Sequence, residues 1–206
     1  AYRSLYEALT HGGFPRHIAV DFIKIDSEKV EADNYRDLLK DAQGILVPGG
    51  FGERGVEGKL LAIRFARENK IPYLGLCLGM QIAVIEFARN VAGLFGANSG
   101  EFDENSPHKV IDFMPDQYAT INKGGTMRLG SYPCKVMPGS LLEKCYAQPL
   151  IHERHRHRYE FNNDYRDRLS SAGLVLSGVS TDERIVERSY DSFVTRCGRG
   201  LRAGDM

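Results

Sequence analysis

Two periodicities divide the chain. Leu5, Ala8 and Leu9 share one face of a helix predicted over residues 2–9, while apolar and polar residues alternate through 17–26, which predicts a strand. A short helix is predicted over 33–40. Residues 44–50, GILVPGG, form an apolar run that ends in Pro and Gly, the pattern of a buried strand feeding a glycine loop. A helix over 58–69 buries Leu60, Leu61, Ile63, Phe65 and Ala66 on one face. The next strand spans 71–77 and the next helix 80–92, with Ile82, Ile85 and Phe87 among its apolar residues. Strand and helix alternating in this way predict an α/β fold, doubly wound, with a mostly parallel central sheet and helices on both faces.

The second half is less regular. Residues 100–125 are polar and broken by prolines, and predict loops with one strand around 110–113. Strands are expected near Gly130 and Pro133, a helix over 140–146, a strand over 158–161, a helix over 165–172 and a strand over 174–179. No internal repeat is present. The chain opens on a helix with no initiator Met, which suggests a domain taken from a longer protein.

Composition narrows the class. The chain has 206 residues, 42% hydrophobic and 26% charged, enough for one globular domain with a sizeable core. A formal net charge of zero argues against a nucleic-acid partner. The longest apolar runs are too short for a membrane span, and no signal peptide is evident. Cys77, Cys134, Cys145 and Cys197 have neither metal-ligand nor disulfide-framework spacing, so no metal is expected and a reducing cytoplasm is the simplest compartment.

The chemistry concentrates at residues 75–81, GLCLGMQ. G-x-C-x-G between a buried strand and a helix has the form of a nucleophile elbow. The nucleophile sits on a sharp, strained turn, and Gly75 and Gly79 remove side chains that would collide there. The N–H groups opening the next helix point at the sulfur and favour thiolate, and the N–H of Leu78 can face an oxyanion. The plainer alternative is a core cysteine between two packing glycines. A second loop, PGGFG at 48–52, ends the preceding strand and reads either as a tight turn or as the other half of an oxyanion hole. Two such loops at the ends of adjacent parallel strands make a cleft.

Taken in order, LVPGGFG, RGVEG (54–58), IPYLGLCLGMQ, GGTMRLG (124–130) and ERHRHRYE (153–160) resemble the class-I glutamine amidotransferase domain of the CTP synthase family, over about residues 1–187. The elbow is generic to class-I amidotransferases, while GGTMRLG and ERHRHRYE are specific to that family. The resemblance implies a class-I amidotransferase-like fold and a domain that releases ammonia from L-glutamine through a Cys77 thioester. The ammonia passes to an N-terminal synthetase domain, absent from this chain, which uses ATP and Mg to convert UTP to CTP. No cofactor is implied in the glutaminase domain itself. The resemblance assigns Gly50 and Leu78 to the oxyanion. It places Gly79, Met80, Gln81 and Glu101 around the substrate, and Arg158 at its carboxylate and ammonium end. Arg54, Gly55 and Glu57 lie in a segment linked to activation by GTP.

Read by composition alone, Glu101 is a solvated loop residue. Arg154, His155, Arg156, His157 and Arg158 are then a solvated cationic face or a patch toward a nucleotide or partner domain. The family does not use His155 or His157 as a general base, and neither is assigned that role from the sequence.

The match departs at the end. The family carries its His and Glu in a late F-H-P-E-F segment, but RIVE (184–187) is followed here by RSYDSFVTRCGRGLRAGDM, with no His after His157 and no Pro after Pro149. Ungapped counting places Ala203 and Asp205 where His and Glu belong. Residues 188–206 therefore read as a non-family tail, from a change of frame, a cloning artefact or a truncated gene. The expectation is a thiol without its base and little glutaminase activity. The competing readings are a catalytically impaired glutamine-binding or docking module, and another cysteine hydrolase, against which the two specific motifs argue.

Overall fold

A computed structural model describes residues 2–113, 128–183 and 185–188. The GGTMRLG motif is therefore described only from Arg128 onward. Arg184, Cys197 and the tail positions Ala203 and Asp205 lie outside the described residues.

Two parallel strands hold the centre of the N-terminal half. β1 (Ile45–Val47) and β2 (Tyr73–Gly75) run parallel, with Val47 level with Gly75. α3 (Val56–Asn69) connects them, and α4 (Leu78–Asn90) follows β2. α1 (Arg3–Gly13) and α2 (Tyr35–Leu39) precede them. α4 is buried from Leu78 to Ala88 on all sides, as expected of an apolar helix inside a domain. Its Ile82, Val84 and Ile85 join Ile63 and Ala66 of α3 and Val47 of β1 in the main core.

β3 (Ala97–Ser99) pairs parallel with β4 (His108–Asp112), and β4 pairs antiparallel with β7 (Glu160–Phe161). β5 (Arg128–Val136) stands between β6 (Leu150–His157) and β8 (Gly178–Ser180), both antiparallel to it, and β9 (Val186–Arg188) pairs with β8. Helices α5 (Leu141–Tyr146) and α6 (Arg166–Ser171) link these strands. Cys134, Val136, Leu142 and Ile151 form a second, smaller core under this sheet. The fold is mixed α/β, with its parallel segments in the first half and antiparallel pairing in the second.

Two sequence expectations are corrected. Residues 17–26 form no strand, because nothing among the described residues pairs with their backbone. The segment lies on α1 instead, with the Phe22 ring edge-on to Tyr6 at 4.9 Å and Lys24 over the same ring at 5.0 Å. The cationic run is solvated on one face only. It is most of β6, paired over its whole length with β5 from Lys135↔Leu150 to Arg128↔His157. The alternation of a strand sends His152, Arg154 and Arg156 to solvent and Ile151, His155 and His157 inward.

Candidate functional site

Cys77 caps α4 at φ 53°, ψ −111°, a conformation that costs a non-glycine residue about 1–3 kcal/mol and persists only when its surroundings enforce it. The surroundings do. A Cβ on Gly75 would lie 2.6 Å from the Gly79 carbonyl, and a Cβ on Gly79 would lie 2.1 Å from the Val47 carbonyl oxygen. The turn thus closes only with glycine two residues either side of the cysteine. The buried Tyr73 hydroxyl donates to the Gly79 carbonyl at 2.8 Å and ties β2 to the first turn of α4.

The PGGFG loop rises from β1 to meet the thiol. A Cβ on Gly49 would be 3.7 Å from Sγ and 3.2 Å from the Cys77 Cβ. The Tyr2 hydroxyl donates to the Gly49 carbonyl at 3.1 Å. Glu101 is not a solvated loop residue: half-buried, its carboxylate accepts the Gly52 N–H at 2.8 Å and braces the loop. The N–H groups of Gly50 and Leu78 both act on the Cys77 sulfur. Two amides directed at the sulfur favour its thiolate form.

Opposite stands a pair that sequence reasoning set aside. β6 ends at His157 and β7 begins at Glu160, so the chain crosses from one sheet to another over Arg158 and Tyr159. Gln81, one turn into α4, donates its amide N–H to the Tyr159 carbonyl at 2.7 Å and pins that crossing to the elbow helix. The His157 imidazole lies near enough to the Cys77 thiol for each to shift the titration of the other. Its Nδ1 lies 3.4 Å from the carboxylate of Glu160, which is buried. Arg128 approaches the same carboxylate at 3.7 Å, and His155 Nδ1 lies 3.4 Å from His157 Nδ1.

The electrostatics follow from these contacts. Burial pushes the Cys77 thiol up, but the hydrogen bond and charge of His157, with the Leu78 and Gly50 amides, outweigh it and leave the thiol below its ordinary value. Burial pulls His157 down, but Cys77 and Glu160 raise it to about 10. The two shifts have opposite signs because each group favours the charged form of the other. The ligating atoms of His155, His157 and Glu160 lie within 4.8 Å of one another. Arg128 beside the same carboxylate, and the engagement of His157 with Cys77, argue against a cation there.

The expected residues fall into two groups. Gly50, Cys77, Leu78, Gly79, Met80, Gln81 and Glu101 converge on the elbow or on the elements that hold it, and Arg158 is exposed on the crossing next to His157. Arg54, Gly55 and Glu57 sit at the start of α3, where their contacts run elsewhere. Arg54 pairs with Glu28, Gly55 leaves no room for a Cβ beside Ser27, and Glu57 meets Arg89 at 3.4 Å.

The profile of the class-I glutamine amidotransferase family matches residues 1–194. The chain belongs to this family. Within it, the amidotransferase domain is 64% identical over 187 residues to the CTP synthase of Caldanaerobacter subterraneus subsp. tengcongensis and 59% identical to that of Carboxydothermus hydrogenoformans. Each alignment covers 91% of this chain, which spans 35% of the length of either relative. Among solved structures, the Trypanosoma brucei CTPS glutaminase domain with bound acivicin superposes with a TM-score of 0.83 at 40% identity. That match covers 90% of this chain and 72% of the other.

His157 was given no role from the sequence because the family the chain resembles does not use it as a base, and Glu160 was not singled out beyond its place in the ERHRHRYE motif. The missed signal is the strict alternation R-H-R-H-R from 154 to 158. In a strand, that spacing gives the two histidines one face and the arginines the other.

Proposed function

We propose that this amidotransferase domain hydrolyses L-glutamine through a glutamyl thioester on Cys77, and that the ammonia serves ATP-dependent amination of UTP to CTP in a partner synthetase domain. The observation that carries the reading is Cys77 itself, strained into an elbow with the Gly50 and Leu78 amides turned to its sulfur. Attack by the thiolate on the side-chain amide carbon places the negative oxygen where those amides converge. Arg158, exposed at the rim, offers its guanidinium to the substrate carboxylate. Glu101 and the buried first turn of α4, from Leu78 to Gln81, shape the amino-acid end of the pocket. ATP and Mg are assigned to the synthetase domain. Arg54, Gly55 and Glu57 are assigned to a response to GTP, and the compartment to the cytoplasm.

The relatives' names, CTP synthase, support the wider reaction. The solved neighbour, a glutaminase domain, supports the local one. The test is glutamate release from glutamine by this chain, alone and with a synthetase domain supplied in trans, against its Cys77→Ala variant. Release that disappears in the variant supports the reading, and equal release by both contradicts it.

A further inference from the structure

We propose that Tyr2, which caps α1, is a positioning residue for the glutaminase site: its hydroxyl holds the peptide between Gly49 and Gly50 so that the Gly50 N–H faces the reacting centre. The inference rests on the glutaminase reading above and deepens it. The carrying observation is the hydrogen bond from the Tyr2 hydroxyl to the Gly49 carbonyl at 3.1 Å. That carbonyl and the Gly50 N–H belong to one planar, trans peptide unit, so they point in opposite directions. A donor on the carbonyl side therefore fixes the direction of the N–H on the other. The same peptide lies at the nucleophile: a Cβ on Gly49 would be 3.7 Å from the Cys77 sulfur, and the Gly50 amide acts on that sulfur.

The peptide needs such a hold. Glycine stands on both sides of it, and neither residue has a side chain that would resist its turning over. Turned over, it would present the Gly49 carbonyl oxygen to the sulfur in place of an N–H, and that oxygen disfavours both a thiolate and an oxyanion. Glu101 braces the far end of the loop through the Gly52 N–H at 2.8 Å, while Tyr2 holds the near end. The hydroxyl is delivered by a helix whose one buried residue is Gly13, so the setting of this peptide depends on how α1 is seated and not on core packing. Tyr2 acts through the peptide and not on the substrate.

The experiment uses the full chain and Tyr2→Phe, which removes the hydroxyl and keeps the ring. Two readouts are followed: steady-state glutamate release, and the pH dependence of Cys77 alkylation by iodoacetamide. In the variant kcat should fall about 2- to 12-fold, the worth of one net hydrogen bond. KM for glutamine should be unchanged, because the oxyanion exists only in the transition state. The alkylation inflection should move up toward 9.0, since the thiolate loses one donor while His157, the titratable group beside it, is untouched. A merely structural role would lower the urea midpoint and leave both readouts in place. Tyr6→Phe, on the same helix, serves as the control and should keep both. Wild-type kcat, a changed KM alone, or a wild-type inflection in Tyr2→Phe overturns the proposal and leaves the glutaminase reading standing. If the wild-type chain releases no glutamate, the glutaminase reading fails and the inflection alone decides for or against Tyr2. If Tyr2→Phe does not fold by circular dichroism, hydrogen exchange of the wild-type Gly50 amide decides: protection supports the held peptide, and exchange at the rate of a free amide overturns it.

Discussion

The imidazole of His157, at the end of the antiparallel β6, has its Nδ1 3.4 Å from the buried carboxylate of Glu160, at the start of β7. The crossing between them is tied to the first turn of α4 by the hydrogen bond from Gln81 to the Tyr159 carbonyl.

Cys77 and His157 together set a pH dependence. Cys77 lies below its ordinary 9.0, and His157 lies above 6.5, at about 10. Among the described residues, His155 and Glu160 lie beside His157, and Arg128 lies beside Glu160. Alkylation of Cys77 should show its inflection below 9. In His157→Ala the inflection should move upward, because burial then acts without the compensating cation. A wild-type inflection at or above 9 contradicts the pairing.

Stability follows with a definite sign. The raised His157 contributes stability that is fully present below 6.5 and lost as pH rises through about 10. The lowered Cys77 contributes stability that is present above 9.0 and lost as pH falls through its depressed value. Just below 9 the two slopes oppose, since moving the proton from sulfur to imidazole changes no proton count. Urea unfolding of the wild type minus that of His157→Ala should therefore give a difference that is nearly flat just below pH 9 and falls between 9 and about 10. A difference that climbs or falls steadily just below pH 9 would contradict the pairing.

Gly79→Ala tests the elbow. Its Cβ would lie 2.1 Å from the Val47 carbonyl oxygen, an overlap that backbone cannot relieve by changing a rotamer. The expected outcome is a loss of roughly 2 kcal/mol in urea unfolding, with glutamine-analogue labelling of Cys77 abolished. Labelling at the wild-type rate would show that the turn tolerates a side chain.

Arg67 should matter for stability and not for chemistry. Glu86, fully buried on α4, accepts from Arg67 at 2.7, 3.0 and 3.1 Å and from Asn90 at 3.0 Å. Arg67→Ala leaves a buried carboxylate without its cation and should cost about 3 kcal/mol in denaturant unfolding. At a temperature where the variant stays folded, labelling of Cys77 should be unchanged.

Much of the site was legible before any coordinates. Gly75, Cys77 and Gly79 announced the elbow because only a steric demand explains glycine at both flanking positions. The strands at Ile45–Val47 and Tyr73–Gly75 followed from apolar runs ending in glycine loops. Residues 17–26 misled because alternation records which side chains are apolar and cannot say whether a neighbouring strand exists. His157 was set aside because the family does not use it as a base; its nearness to Glu160 depends on where β6 ends and β7 begins, which local pattern does not encode.

The account turns on a reactive thiolate in a glutamine-shaped pocket. Mass spectrometry of this chain after exposure to a glutamine-analogue electrophile at neutral pH measures that directly. The predicted result is a single adduct on Cys77, slowed by excess L-glutamine, with Cys134 and Cys145 unmodified. Absence of an adduct on Cys77, or modification that ignores L-glutamine, would contradict the account.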